Sequence, residues 1–284
     1  MAARLRGAGF ALAVFDSRAD AVRDFVRDGG TAAATLADVA RESDVVITML
    51  PNGETVRRVV LDGDASLLPA MPSACVLIDM SSSSPTGTQS LGRILATRGI
   101  AMLDAPVSGG VTRAEDGTLS IMAGGDPAVL ERCRPVLQSM GERIFATGPL
   151  GSGHAMKALN NLVSAAGLIA ATEALLVGQR FGLDPNVMID VLNASTGRNN
   201  STEKKFKQFV LSRRFASGFS LDLMVKDLTT ALDLAHATET PAPFSAACRE
   251  LWAAAQAQLE SGADHTAVVR WFETLARTSL GSDQ

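Results

Sequence analysis

Lys157 and Asn161 stand four residues apart in the run G-P-L-G-S-G-H-A-M-K-A-L-N-N, residues 148–161. The glycines break the chain, and the run then opens into a long apolar stretch with helical character. At this spacing the two side chains share one helix face. An ammonium beside an amide, at the mouth of a helix with bare backbone, suits proton transfer to a small polar substrate. A second candidate is Asp104-Ala-Pro-Val-Ser-Gly-Gly110, at the end of a strand-like run. Ser108 offers a hydroxyl. Gly109 and Gly110 offer backbone N–H groups that can hold a carboxylate. An ordinary Pro/Gly turn is the plainer alternative. Leu50-Pro-Asn-Gly-Glu-Thr55 and Ser81–Ser84 also follow apolar strands, on the edge where α/β sheets bind ligands. Taken singly, each reads more readily as a helix-capping loop.

Other chemistry is disfavoured. The formal net charge of −4 argues against a nucleic-acid partner. The basic cluster Lys204, Lys205, Lys207, Arg213 and Arg214 reads as a solvated helix face. Lys226-Asp227 reads on spacing alone as an exposed charged pair. Ser201-x-x-Lys204 lacks the partner elements of a serine acylase, and a capping role is enough for Ser201. His154, His236 and His265 have no metal-ligand spacing, so no metal is expected. Cys75, Cys133 and Cys248 are scattered and read as reduced thiols of a cytoplasmic protein. No apolar run approaches the ~20 residues of a membrane span, and the start does not read as a signal peptide.

At 284 residues, 46% hydrophobic, the chain can bury two cores. In residues 1–148, apolar runs at 11–15, 45–50, 75–80, 101–105, 119–123 and 143–146 alternate with helix-like segments. Ser84-Pro85 and Asp126-Pro127 each pair an N-cap with proline at the first helical position. This predicts a doubly wound parallel α/β domain. Residues 149–284 predict an all-α domain, with helices over 155–181, from Asp184-Pro185, from a capping box at Asn200–Glu203, and over 221–238, 244–261 and 265–280. Asp264 and Thr266 are equal candidates to cap the last of these.

A dinucleotide fold begins with a strand, a glycine-rich turn and a helix, and an acid follows the second strand. Asp16, after A-L-A-V-F, stands where that acid should; a turn acid is the alternative. Met1–Ala8 reads as the end of the first helix. The first strand and its G-x-G-x-x-G turn are therefore expected upstream of Met1, which would make Met1 an internal methionine. Without that strand, the two strands it normally separates lose their common neighbour.

Together these motifs resemble the β-hydroxyacid dehydrogenases, in particular the 3-hydroxyisobutyrate dehydrogenase group, over nearly the whole chain. D-x-P-V-S-G-G-x-x-x-A is met by Asp104 through Ala114. G-x-G-x-x-x-K-x-x-x-N is met by Gly151, Gly153, Lys157 and Asn161, and K-D-L by Lys226-Asp227-Leu228. The resemblance implies a nucleotide domain joined by a long helix to a helical domain that helps to dimerise, in a homodimer or homotetramer. It implies NAD(P)-dependent oxidation of a small 3-hydroxy acid, with Lys157 as general acid/base and Asn161 holding the substrate. Ser108, Gly109 and Gly110 would bind its carboxylate. Asp16, Leu50, Pro51, Thr55, Ser82 and Lys226 would contact the cofactor. Asp16 favours NAD by repelling a 2′-phosphate, and Arg18 two residues on keeps NADP open. Phe206, Phe209, Phe215 and Phe219 are candidate pocket or interface groups. Gly197–Thr202 is more polar than the aromatic-containing segment expected of hydroxyisobutyrate enzymes. A hydroxylated acid such as tartronate semialdehyde is therefore a rival substrate, and a non-catalytic family member a second alternative.

Overall fold

The apolar runs of the first half become strands, and the Ser-Pro and Asp-Pro signals become helix starts. A computed structural model describes residues 1–63 and 65–281. It divides into one unit of Met1–Lys157 and a second from Ala158 onward.

In the first unit, β1 (Ala13–Val14) and β2 (Thr31–Ala32) form a parallel two-stranded ribbon. A six-stranded sheet contains β3 (Val45–Thr48), β4 (Val76–Asp79), β5 (Ala101–Asp104), β6 (Val107–Ser108), β7 (Leu119–Gly124) and β8 (Gly141–Gly148). Its order is β3-β4-β5-β7-β6, with β8 also on β7. The β1–β2 ribbon is separate from this sheet, and no strand joins β1 to β3 among the described residues. Strands β3, β4 and β5 run parallel, with Val45 opposite Val76 and Val76 opposite Ala101. All four residues of β4 are buried, as expected of a central strand covered on both faces.

The sheet is not wholly parallel. β7 runs antiparallel to both β5 and β6, and β8 parallel to β7. The chain reverses through Gly109-Gly110 and a short helix instead of crossing over, which suffices for an antiparallel neighbour. β2 and β6 have two residues each, too few to show an alternation in sequence.

The helices of this unit are α1 (Ala2–Gly7), α2 (Ala19–Arg27), α3 (Leu36–Arg41), α4 (Gly53–Leu61), α5 (Pro85–Ala96), α6 (Gly110–Asp116) and α7 (Pro127–Gln138). Ser84 and Asp126 cap α5 and α7 as predicted, accepting from the N–H groups of Gly87 and of Ala128 and Val129. One apolar core gathers Ile78, Leu103 and Ile121 with Leu130 and Leu137 of α7. Another gathers Val56 and Val60 of α4, Leu91 and Leu95 of α5, and Leu77.

Helix α8 (Ser152–Phe181) runs through the boundary between the units. Thirty residues long, with an 18-residue window of mean hydropathy 1.5, it is long and apolar enough to cross a membrane. That corrects the expectation that no run comes close. Half of the window is buried within the protein, as in the core helix of a globular fold.

The second unit continues with α9 (Pro185–Ala194), α10 (Asn200–Lys204), a π-helical turn at Phe206–Val210, α11 (Leu221–Ala237), α12 (Pro243–Gln256), a 3₁₀ turn at His265–Ala267 and α13 (Val268–Ala276). The capping box of α10 lies one residue earlier than predicted. Asn199, not Asn200 or Ser201, accepts from Ser201 and Thr202, and the Thr202 hydroxyl receives the Asn199 N–H. Asp264 caps the final turn through Thr266 N–H at 2.9 Å. Phe206 is fully buried in the core with Trp252, and Phe215 and Phe219 pack against that core, so these three serve packing.

Candidate active site

Asp104, the last residue of β5, ties the two leading motifs together. Its carboxylate is 0% exposed. Oδ1 accepts from Gly151 N–H and Oδ2 from His154 N–H, each at 2.7 Å. Both N–H groups belong to the start of α8, where the backbone has no intrahelical acceptor and the helix dipole favours a negative charge. Asp104 thus clips the amino end of the helix that carries Lys157. Both motif glycines are required by this approach. Gly151 has φ +93°, a conformation that side chains resist, and a Cβ on it would lie 2.9 Å from the Pro85 carbonyl. A Cβ on Gly153 would stand 2.2 Å from the Met122 carbonyl.

His154 completes the clip, a role its lack of metal-ligand spacing gave no hint of. It is 1% exposed. Nε2 is 3.1 Å from the Ser81 carbonyl and Nδ1 is 2.8 Å from the Thr88 hydroxyl. A carbonyl only accepts, so Nε2 carries a proton. A second buried acid, Asp79 at the end of β4, accepts from Thr48 Oγ1 and Ser81 N–H at 3.0 Å and from Ser83 Oγ at 2.7 Å. Ser81 Oγ in turn accepts from Leu50 N–H at 2.9 Å. The ends of β3, β4 and β5 are thus held by one buried polar network that reaches α8. Leu50, Ser81, Ser83 and Asp104 are legible in sequence as loop or motif residues, whereas Thr48, Asp79 and Thr88 carry no local signal of the network.

Lys157 is half-buried, and its Nζ donates to the Val107 carbonyl at 2.8 Å. Val107 lies in β6 beside Ser108, so the fold brings the candidate base to the D-x-P-V-S-G-G segment. Ser108 is half-buried opposite Ser120 of β7. Gly109 is the N-cap of α6 and Gly110 its first residue, with open space where a side chain would be.

The remaining residues of this unit fall on the edge expected for a dinucleotide. Leu50 and Pro51 leave the end of β3. Thr55 lies in the first turn of α4, its N–H held by Asn52 at 2.8 Å. Ser82 follows β4. A Cβ on Gly53 would lie 2.9 Å from Ser83 Cβ, so the loops after β3 and β4 touch. Asp16 is exposed after β1, its Oδ1 accepting from Arg18 N–H at 2.8 Å. A carboxylate beyond β1 and close-packed, hydroxyl-bearing loops beyond β3 and β4 fit a dinucleotide's ribose and nicotinamide portions.

In the second unit, Asn161 is buried and donates from Nδ2 to Asp227 Oδ2 at 2.6 Å. Asp227 is the D of K-D-L. It is buried rather than an exposed half of a charged pair, and its carboxylate holds the Asn161 amide through Nδ2. Lys226 Nζ lies 3.3 Å from Asp227 Oδ1. The basic cluster does not form one solvated face. Lys207 pairs with Asp190 and Arg213 with Glu273, whereas Lys205 turns inward. Lys205 Nζ donates to Ser164 Oγ at 3.1 Å, and burial lowers its pKa to about 8 against the opposing field of Asp264.

Comparison with known proteins places this geometry in a family. The family model for the NAD binding domain of 6-phosphogluconate dehydrogenase matches residues 1–148. The model for NAD-binding of NADP-dependent 3-hydroxyisobutyrate dehydrogenase matches residues 151–272. The chain is 36% identical to 2-(hydroxymethyl)glutarate dehydrogenase of Eubacterium barkeri, over 100% of this chain and 94% of that one. It is 37% identical to 3-hydroxyisobutyrate dehydrogenase of Pseudomonas aeruginosa, over 96% and 94%. The solved 3-hydroxyisobutyrate dehydrogenase of Mycobacterium tuberculosis with L-serine superposes with a TM-score of 0.86 at 35% identity, covering 95% of this chain and 94% of that one. The chain belongs to the β-hydroxyacid dehydrogenases, in the 3-hydroxyisobutyrate dehydrogenase-like group: it is an NAD(P)-dependent oxidoreductase of small hydroxy acids.

Proposed function

We propose that Lys157 is the general acid/base for oxidation of the hydroxyl of a small 3-hydroxy carboxylate, and for the reverse reduction. The observation that carries this is the Nζ hydrogen bond to the Val107 carbonyl, which holds the amine against the segment bearing Ser108, Gly109 and Gly110. Bound NAD(P) supplies the hydride acceptor. Lys157, as the free amine, takes the hydroxyl proton in oxidation and returns it in reduction. Ser108 Oγ and the N–H groups of Gly109 and Gly110 hold the substrate carboxylate. Asn161, oriented by Asp227, donates to or accepts from the substrate hydroxyl. Leu50, Pro51, Thr55 and Ser82 hold the nicotinamide-ribose side of the cofactor, Lys226 contacts it, and Asp16 selects NAD by its charge. Lys157→Ala should lower kcat by about 10²- to 10⁴-fold, the range for a lost acid/base. Turnover close to that of the unaltered enzyme would reject this assignment.

The polar segment 197–202 and the glutarate- and serine-linked relatives favour a polar acid over 3-hydroxyisobutyrate itself. The chain is further proposed to work as a homodimer or homotetramer in the cytoplasm. Exposed apolar residues of α8 and α9, with Val177 at 72%, Phe181 at 85% and Val187 at 57%, support self-association. Three buried free cysteines agree with a reducing compartment. Light scattering that finds only monomer at micromolar concentration would reject the assembly.

A further inference from the structure

The inward lysine of the basic cluster is unused by the reaction as described. Ser164 lies three residues beyond Asn161 and seven beyond Lys157. Those three positions form one stripe of α8, spaced i, i+4 and i+7. Ser164 holds the Lys205 ammonium at 3.1 Å, so Lys205 extends the Asn161 stripe by just under one turn, about 4.5 Å along the axis.

The local structure is built to hold Lys205 there. It terminates α10, and the π-helical turn 206–210 follows it directly; such turns recur at functional sites. Asn199, the cap of α10, donates to the Gly167 carbonyl of α8 at 3.4 Å, and Asn193 donates to the Thr202 carbonyl at 3.1 Å. Among the described residues no carboxylate comes within 4 Å of Lys205 Nζ. Asp264, the nearest acid in influence, is committed elsewhere. Its two oxygens accept from Ser217 Oγ, from the N–H groups of Gly218, Phe219 and Thr266, and from Thr266 Oγ1. His265 brings no positive charge, because burial and Lys205 itself hold its pKa at about 4. A half-buried ammonium with only a hydroxyl partner has lost hydration without gaining a counter-ion. An anionic ligand group would restore the balance.

We propose that Lys205 is a specificity-determining residue that receives a second anionic group, at the far end of a hydroxy acid whose reacting end lies at Asn161. The preferred substrate class is then a hydroxy acid with two negative groups. This rests on the proposed role of the Asn161 stripe, and a binding measurement separates the two claims. Glutarate and butyrate, equal in acid chemistry except for the second carboxylate, are titrated calorimetrically into the full chain with and without saturating NAD. Glutarate should bind about tenfold more tightly, the scale of one charge-assisted hydrogen bond. Lys205→Met should reduce that preference to within about twofold, and Lys205→Arg should retain most of it. Equal binding of the two acids, or a glutarate preference that survives in Lys205→Met, overturns the proposal. So does loss of preference in both variants with unchanged melting temperatures. In turnover, Lys205→Met should raise KM for a dicarboxylic 3-hydroxy acid about tenfold with little change in kcat, and leave 3-hydroxyisobutyrate nearly unaffected. If glutarate binding behaves as stated and neither acid is turned over, the anion site stands and the assigned reaction fails.

Discussion

Replacing Asp104 by Asn tests the clip that joins β5 to α8. The side chains have the same shape, so the change is one of charge and donor count. In the native protein both carboxylate oxygens accept from backbone N–H groups at 2.7 Å, in a site with 0% exposure. Asn can accept only one of them. Its NH₂ then faces the other N–H, donor against donor. The loss of a charge-assisted hydrogen bond is worth about 1.5–3 kcal/mol, and the stranded buried donor about 1–3 kcal/mol. Removing a negative charge from a buried helix start adds about 1 kcal/mol. Relaxation recovers part of the sum, so the net destabilisation should be about 3–5 kcal/mol. Urea unfolding followed by far-UV circular dichroism reads it. Both tryptophans, Trp252 and Trp271, lie in the second unit, so their fluorescence follows that unit alone. Asp104→Asn should move the circular dichroism transition further than the fluorescence transition. Lys157 lies less than one helical turn beyond His154, so kcat/KM should fall by about 10²-fold through misplacement of Nζ. A stability loss under about 1 kcal/mol, or unchanged kcat/KM, would refute the reasoning.

His265 has a folded pKa of about 4 against 6.5 unfolded, mainly through burial. Its contribution is present above pH 6.5 and is lost as pH falls from 6.5 through 4, about 3 kcal/mol in all. His265→Gln should flatten that limb of the stability–pH curve; an identical limb would assign it to other groups. Asp227→Ala frees the Asn161 amide and should raise KM about tenfold while costing about 1–3 kcal/mol of stability, as read by steady-state kinetics and thermal melting. Gly153→Ala drives a Cβ to 2.2 Å from a carbonyl oxygen and should cost about 3 kcal/mol or yield insoluble protein. Asp16→Ser should narrow the preference for NAD over NADP, measured as the ratio of kcat/KM values; an unchanged ratio would remove Asp16 from cofactor selection.

Much of this was legible in the residues because the signals are local. Apolar runs and Pro-primed caps fix strands and helix starts within a few residues, so β3, β4, β5, α5 and α7 were placed from sequence. The spacing of Lys157 and Asn161 fixes their shared helix face whatever surrounds it. The motif D-x-P-V-S-G-G marked the loop, and three motifs in order marked the family. Partners distant in sequence were another matter. That Asp104 grips residues 151 and 154, that His154 bridges to Ser81 and Thr88, and that Asp227 holds Asn161 depends on which buried polar groups meet when strands and helices pack. Burial removes water as an alternative partner, so each such group must find another within the fold. Lys205 shows the limit most plainly. In sequence it is one lysine of a basic run. Only the docking of α10 on α8 turns it away from solvent, toward Ser164, while Lys204 and Lys207 stay outside.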